Sequence, residues 1–181
     1  MDGQLLTSKN YQRWRIIANG PIRTIFELDY GTWEAGELQV KETKRISIDL
    51  GSNLYKNTLR IGNHSELPNV SMGVTLHDKS GETKLSTEEG WFRYWEPHFD
   101  SDLSTAIVID PSVIQEAIDH RVEAPDLSNL IVVCNSSSEL TYYAGFAWGK
   151  SKQYDLPGGF DEYLSKFSKR IASPLVVEFQ P

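Results

Sequence analysis

Alternation of apolar and polar residues is the strongest pattern along this chain. In residues 22–30, one face of an extended chain carries Ile22, Thr24, Phe26, Leu28 and Tyr30. The opposite face is polar except for Ile25. The same alternation recurs in residues 38–50. A two-residue period is typical of strands with one buried face, so both segments are predicted to be β-strands.

Turn residues between these segments predict how the strands connect. Asn19-Gly20-Pro21 indicates a tight turn, which predicts an antiparallel hairpin between residues 11–18 and 22–30. Further strands are predicted at residues 54–61, 70–77, 91–95, 106–109, 130–134, 140–148 and 175–179. Nine or ten strands without a sustained β-α-β alternation predict a sandwich of antiparallel sheets.

Two helices are predicted. Residues 111–118 form the shorter one, with Pro111 at its first position. The longer helix has an apolar stripe of Phe160, Leu164, Phe167 and Ile171, and Ser173-Pro174 ends it. We therefore expect residues 1–181 to form a single, mainly β domain. Its fold class is an antiparallel β-sandwich with one C-terminal helix and one short helix.

Composition excludes several function classes. Among 181 residues, 25 are acidic and 18 basic, and the net charge of −7 argues against a general nucleic-acid binder. Cys134 is the single cysteine, which excludes a disulfide framework and a multi-cysteine zinc site. No apolar run approaches the ~20 residues of a membrane span, and no secretion signal is visible. The unusual feature is the aromatic content, including five tryptophans.

The densest aromatic segment is residues 91–98, which also contains an arginine, a carboxylate and an imidazole. As a strand, it places Trp91, Arg93 and Trp95 on one face. Pro97 is predicted to end the strand, which places Glu96 and His98 at the end of the strand.

This combination of side chains suits a sugar ligand, because an aromatic ring stacks on the C–H face while polar groups bind the hydroxyls. Arg93 and Trp95 are the predicted substrate contacts, and Arg93 could pair with a uronate carboxylate. Glu96 and His98 are the predicted acid–base pair if the protein is an enzyme. The alternative is structural: the tryptophans fill the core and Arg93 forms a surface ion pair.

A second aromatic segment, residues 140–148, adds two predicted substrate contacts, Tyr142 and Trp148. Gly145 within it indicates a bulge or a close approach of another backbone. The alternative interpretation is a central core strand.

No metal or cofactor is predicted. The four histidines lack paired spacing, so a metal site would need distant segments, for example His77 with His98 and a carboxylate. Asp100 and Asp102 could bind calcium, although a hydrated loop is the simpler interpretation. No phosphate-binding loop, dinucleotide fingerprint or nucleophile elbow is present.

Several short runs carry a resemblance to a known family. They are residues 19–23, 29–30, 42–44, 48–53, 95–97, 106–111, 142–148 and 163–164, together with Trp33. The chain resembles an uncharacterised bacterial family, a domain of unknown function often found beside enzymes that degrade pectin and other acidic polysaccharides. That family is similar to the galactose-mutarotase-like supersandwich proteins.

The resemblance implies several properties. Its members are longer and usually begin with an export signal, which implies a periplasmic or secreted protein and a match to the C-terminal half of the family domain. The family has no established chemistry, so no catalytic residue is carried over.

Two functions from different classes follow. The favoured one is a protein that binds or processes carbohydrate, including uronate-containing polysaccharide fragments; an epimerase, a lyase and a hydrolase are all compatible. The alternative is a non-catalytic module that packs on a partner domain or a second copy and covers exposed sheet edges.

Overall fold

The computed structural model describes residues 5–124 and 127–179. Within these ranges the chain forms thirteen strands and one α-helix: β1 (Tyr11–Asn19), β2 (Arg23–Tyr30), β3 (Trp33–Ala35), β4 (Leu38–Val40), β5 (Glu42–Asp49), β6 (Leu54–Ile61), β7 (Asn69–Thr75), β8 (Glu82–Ser86), β9 (Trp91–His98), β10 (Ser101–Ile109), β11 (Ile114–His120), β12 (Asn129–Asn135), β13 (Glu139–Trp148) and α1 (Pro157–Ala172). The fold is mainly β, as predicted. No helix in the described ranges is long and apolar enough to cross a membrane.

An eight-stranded antiparallel sheet organises the fold. Its strand order is β1-β2-β5-β6-β13-β10-β9-β8, beside a three-stranded sheet β11-β12-β7 and the hairpin β3-β4. We call the side that packs against α1 the helix face and the opposite side the cleft face. The predicted hairpin of the first two strands is confirmed, with Trp14 paired to Leu28.

Helix α1 covers the helix face through its apolar stripe. Phe160 and Leu164 are buried with Trp91 and Trp95 of β9. Pro157 occupies the first turn, where its missing N–H has no intrahelical partner to lose. The predicted stripe is therefore confirmed, and burying it docks the helix onto the sheet.

The three-stranded sheet covers part of the cleft face. Phe92 and Tyr94 of β9 are buried there with Leu130, Val132 and Cys134 of β12. The predicted alternation of β9 is confirmed, because its odd-numbered residues face α1 and its even-numbered residues face the smaller sheet. One strand thus supplies both layers of the core.

Gly145 is a point of close backbone approach, as its position within β13 predicted. A Cβ atom built on it would lie 1.9 Å from the backbone oxygen of Asn53. That oxygen accepts a hydrogen bond from the backbone N–H of Phe146 at 3.2 Å. Only glycine, which has no Cβ atom, allows β13 to lie this close to the backbone of Asn53.

Three predicted segments are wrong in detail. Residues 111–118 are not a helix: a single 3-10 turn, Pro111–Val113, is followed by β11, whose backbone pairs with β12. Residues 175–179 form no strand. Residues 38–50 break at Lys41 into β4 and β5, which belong to different sheets.

Pro97 does not end β9. The strand continues to His98, with Pro97 paired to Asp102 of β10. Pairing with β8 on the other side reaches only Trp95. Proline is tolerated because the missing N–H lies beyond the last partner on that edge.

Candidate functional site

Strand register divides the six predicted site residues between the two faces of the large sheet. Arg93 and Trp95 lie on the helix face. Glu96 and His98 continue the cleft face of β9, and Tyr142 and Trp148 lie on the same face of β13. The six residues therefore do not converge on one cleft, and four of them share a face.

Arg93 is enclosed beneath α1. It is 1% exposed, and its guanidinium donates to Asp161 Oδ1 at 2.6 Å and to Glu82 Oε1 at 2.9 Å. Lys84 Nζ lies 2.8 Å from the other oxygen of Asp161. Burial raises the pKa of Asp161, but Arg93 and Lys84 outweigh it and lower the pKa overall. The guanidinium thus anchors the helix.

Trp95 is buried under the same helix, and Trp91 beside it donates from Nε1 to Glu89 Oε2 at 2.6 Å. Both indole rings therefore serve packing on the helix face.

Glu96 pairs with a histidine that the sequence analysis did not assign to it. His77 Nδ1 lies 2.6 Å from Glu96 Oε1, and the carboxylate is buried while the imidazole is exposed. His77 has a backbone φ of 45°, a left-handed conformation that is uncommon outside glycine. This turn after β7 brings the ring to β9. His98 instead lies exposed at the strand end, edge-on to Phe99.

Trp148 stands near this pair. Leu103 of β10 is paired with Glu96 of β9 on one side and with Trp148 of β13 on the other. Glu96, Leu103 and Trp148 therefore form one row of side chains across the cleft face. Lys150 Nζ lies 6.0 Å from the Trp148 ring centroid. The row combines an aromatic surface with a buried carboxylate and an exposed imidazole.

A larger cleft lies along the same face toward β5. Its volume is about 770 Å³, within the range of small-molecule sites. The cleft is bounded by the face of β5, β6 and β13, by the edge strand β7 and by residues 5–8. Its polar and aromatic lining includes Trp33, Glu42, Lys44, Tyr55, Tyr142 and Phe146. Tyr142 is the predicted site residue that lines it.

Lys44 is the basic residue of this lining. Its side chain is 22% exposed, and Nζ lies 3.8 Å from Glu42 Oε1 and 5.1 Å from the Tyr30 ring centroid. Burial lowers the pKa of Lys44, but Tyr142, Tyr30 and Glu42 together raise it above the ordinary value. The ammonium group therefore stays charged in a largely apolar cleft.

The two neighbours of Lys44 are shifted toward their neutral forms. Burial raises the pKa of Glu42, opposed by Lys44, Trp33 and Ser8. Burial also raises the pKa of Tyr142. The cluster therefore offers a cation, a phenol O–H and a carboxyl group with a raised pKa, which together can bind an anionic group and exchange protons with it.

Two buried polar atoms on the cleft face have no hydrogen-bond partner within the described ranges. They are Nδ2 of Asn57 and Oγ1 of Thr105. Asn57 is paired with Tyr142, and Thr105 lines the cleft. Unpaired buried polar atoms are uncommon, so this face retains capacity for a polar ligand.

Glu42 and Lys44 were not predicted as site residues, although the sequence contains a signal for them. Both occupy the face of β5 that alternation reserves for apolar residues such as Ile46 and Ile48. Charged residues at such positions mark a site rather than a core. In the part of the chain that the structure describes, no three histidine, cysteine or acidic side chains form a metal-binding group.

Comparisons with known proteins place the chain among relatives of unknown function. Residues 1–177 match the model of a family described as "Domain of unknown function (DUF4861)". The chain is 38% identical over 182 residues to "Uncharacterized protein P7" of Formosa agariphila, covering 99% of this chain and 45% of that relative. The chain thus spans about half the length of the curated relative it matches. No solved structure matches it.

Proposed function

This chain belongs to the DUF4861 family, and on that premise we propose that it binds oligosaccharides, in particular uronate-containing polysaccharide fragments, in the cleft. The carrying observation is Lys44, a charged and largely buried lysine that stands among aromatic side chains in a cleft of about 770 Å³. A carboxylate entering the cleft gains a charge-assisted hydrogen bond from that ammonium group.

The aromatic lining supports the sugar ligand. Tyr55, Tyr142 and Phe146 line the cleft, and Trp148 follows on the same face of β13. Their rings offer stacking surfaces for the C–H faces of successive sugar units. Thr105 also lines the cleft, and its hydroxyl oxygen has no hydrogen-bond partner among the described residues, so it can bind a sugar hydroxyl group.

The finer assignments belong to the same proposal. We propose further that the large antiparallel sheet is of the galactose-mutarotase-like kind, that the protein takes part in the degradation of pectin or other acidic polysaccharides, and that it is periplasmic or secreted. If the protein is an enzyme, Glu96 supplies a carboxylate for acid–base chemistry. His77 holds it at 2.6 Å, and His98 lies two residues further along β9.

A titration tests the binding proposal. Oligogalacturonate is added to the wild-type protein while tryptophan fluorescence and calorimetry are followed, with the methyl-esterified oligomer as the neutral comparison. We expect binding of the acidic oligomer and at least about tenfold weaker binding to Lys44→Ala, since a hydrogen bond to a charged group contributes about 1.5–3 kcal/mol.

Lys166→Ala is the matched control, because Lys166 lies on the exposed side of α1, paired with Glu162. It should bind as the wild type does. The proposal fails if the acidic oligomer does not bind, if its neutral form binds equally well, or if Lys44→Ala retains full affinity.

A second candidate function, packing on a second copy, is favoured by the exposed apolar side chains of the cleft face, which extend from the cleft lining to the edge strand β1. Large apolar residues on the cleft face remain exposed in β1, β5, β6 and β13: Trp14, Ile16, Ile48, Tyr55, Phe146 and Trp148. Exposed apolar patches of this extent mark interaction surfaces, and β1 is also an edge strand.

Light scattering across a concentration series tests self-association. A dimer in the wild type that dissociates in Ile16→Asp supports packing of one copy on another. Lys166→Ala again serves as the control. A monomer at every concentration contradicts this candidate.

A further inference from the structure

The helix face of the first strands concentrates positive charge in an acidic protein. Six basic side chains lie on this face of β1, β2, β5 and β6, out of 18 in the chain: Arg13, Arg15, Arg23, Arg45, Lys56 and Arg60. The acidic side chains on the same area are Glu27, Asp29, Asp49 and, from β13, Glu139. The area is therefore net positive, although the whole chain carries −7.

Glu27 arranges the guanidinium groups at the centre of this area. It is 4% exposed and accepts hydrogen bonds from Arg15 Nε at 2.8 Å and from Arg45 Nε at 3.1 Å, while an Arg60 nitrogen lies 4.0 Å away. Burial raises the pKa of Glu27, but Arg15 and Arg45 outweigh it and lower the pKa. One ionised carboxylate thus holds two guanidinium groups in place, and Arg60 donates from Nε to Glu139 Oε2 at 2.8 Å.

A groove of about 510 Å³ runs beside these arginines. Arg45, Lys56 and Arg60 line it, with the hydroxyl-bearing residues Ser47, Thr58 and Tyr143. Lys56 is exposed and forms no ion pair within the described residues. Lys56 is paired with Ser47 of β5 and with Tyr143 of β13. Two residues further along β6, Thr58 is paired with Arg45 on the same face of the sheet. Positions two residues apart along a strand are separated by about 7 Å.

We infer that this groove binds the anionic groups of a polysaccharide, sulfate esters or carboxylates, at a site separate from the cleft. Lys56 supplies an unpaired ammonium group. Arg45 and Arg60 present guanidinium groups, which are oriented by hydrogen bonds to Glu27 and to Glu139, respectively. Hydroxyl groups along the groove bind sugar oxygens. The site lies on the opposite face of the sheet, so it does not depend on the function proposed for the cleft.

Nucleic acid is the other polyanion to consider, and the charges disfavour it. The groove is lined by Asp49 and Glu139 as well as by cations. Nucleic-acid binding relies on neutralising many closely spaced phosphates, and the overall charge of −7 repels a polymer of that charge density. A polysaccharide with more widely spaced charges fits the modest positive excess.

Binding of defined polymers tests the inference. κ-Carrageenan, whose sulfate esters are widely spaced, and polygalacturonate are the sulfate and carboxylate probes, with neutral dextran and duplex DNA as comparisons. We expect at least one of the two acidic glycans to bind, with an affinity that falls as salt is raised. Lys56→Glu should weaken this binding at least tenfold. Lys166→Glu on α1 changes the net charge equally and should leave the affinity near that of the wild type.

The outcomes separate this site from the cleft. Full glycan binding in Lys44→Ala with loss in Lys56→Glu supports the groove. The inference is overturned if neither acidic glycan binds, if neutral dextran competes, if the two glutamate variants weaken binding equally, or if duplex DNA binds more tightly than both glycans. Circular dichroism of Lys56→Glu establishes that an exposed substitution has left the fold intact.

Discussion

Two regions of the same eight-stranded sheet differ sharply in burial. In β9, residues 91–96 are all buried, because α1 covers one face and the three-stranded sheet covers the other. In β1, all nine residues are exposed. Both strands nevertheless pair along their length with a neighbour, so backbone hydrogen bonding does not distinguish them.

The difference shows that two regions of one sheet are stabilised in different ways. The closed region, β13, β10 and β9, derives its stability from buried apolar side chains and from the enclosed Arg93–Asp161 ion pair. The open region, β1, β2 and β5, is stabilised by backbone hydrogen bonds between paired strands and by cross-strand ion pairs such as Arg23–Asp49. Its exposed side chains are available for recognition, and its local stability is expected to be lower.

Removing the enclosed arginine is the strongest test of this comparison. Arg93→Ala leaves Asp161 buried with only Lys84 as a partner, and we expect a loss of about 3 kcal/mol in the free energy of unfolding. Arg23→Ala breaks an exposed pair in the open region and should cost less than about 1 kcal/mol. Urea denaturation of both variants provides the measurement. Equal losses would remove the distinction between the two regions.

Apolar truncations extend the test to packing. Leu164→Ala creates a cavity beneath α1, and we expect a loss of about 3 kcal/mol. Ile48→Ala removes a side chain that is 45% exposed on β5, and thermal and urea denaturation should detect little change. A large loss in Ile48→Ala would mean that the open region is packed in solution, as the second-copy hypothesis requires.

Acid titration of stability probes Asp161. Its pKa in the folded protein is lowered, whereas in the unfolded chain it is about 3.9. The ion pair therefore contributes its full stability above about pH 4, and this contribution is lost as pH falls through the folded value. In Asp161→Asn this component of the acid dependence should be absent. Parallel curves for the two proteins from pH 6 to pH 2 would contradict the assignment.

The smallest expected effect is the reactivity of Cys134 on the closed side. Burial raises the pKa of its thiol to about 11, so almost no thiolate is present at pH 8. A chromogenic disulfide reagent should label the native protein slowly and the urea-unfolded protein rapidly. Rapid labelling without denaturant would show that the two sheets separate readily.

Local pattern predicted most of the elements of this fold and the hairpin of β1 and β2, but not the long-range partners of the other strands. The two faces of β9 and the apolar stripe of α1 follow from residue spacing, which a sequence displays directly. The error at residues 111–118 arose because a short amphipathic segment satisfies either a helix or a strand. Pairing with β12, a long-range contact, decides in favour of the strand.

The candidate site depended even more on distant contacts. Glu96 was identified, yet its partner is His77, 19 residues away and brought close by a left-handed turn. Arg93 was predicted to contact a ligand, whereas its guanidinium donates to Asp161, 68 residues later. Lys44 and Glu42 did have a local signal, a charged residue on the apolar face of their strand.

The position of β13 has a consequence for synthesis on the ribosome. This strand joins the two regions, since Tyr142 pairs with Asn57 of β6 and with Ile109 of β10. The ribbon of β1, β2, β5 and β6 therefore emerges well before the strand that connects it to the core. During that interval the edge of β6 that pairs with β13 is free, and pairing between segments so far apart in sequence is slow. Nascent chains of this protein should therefore need chaperone protection until residue 148 has left the exit tunnel.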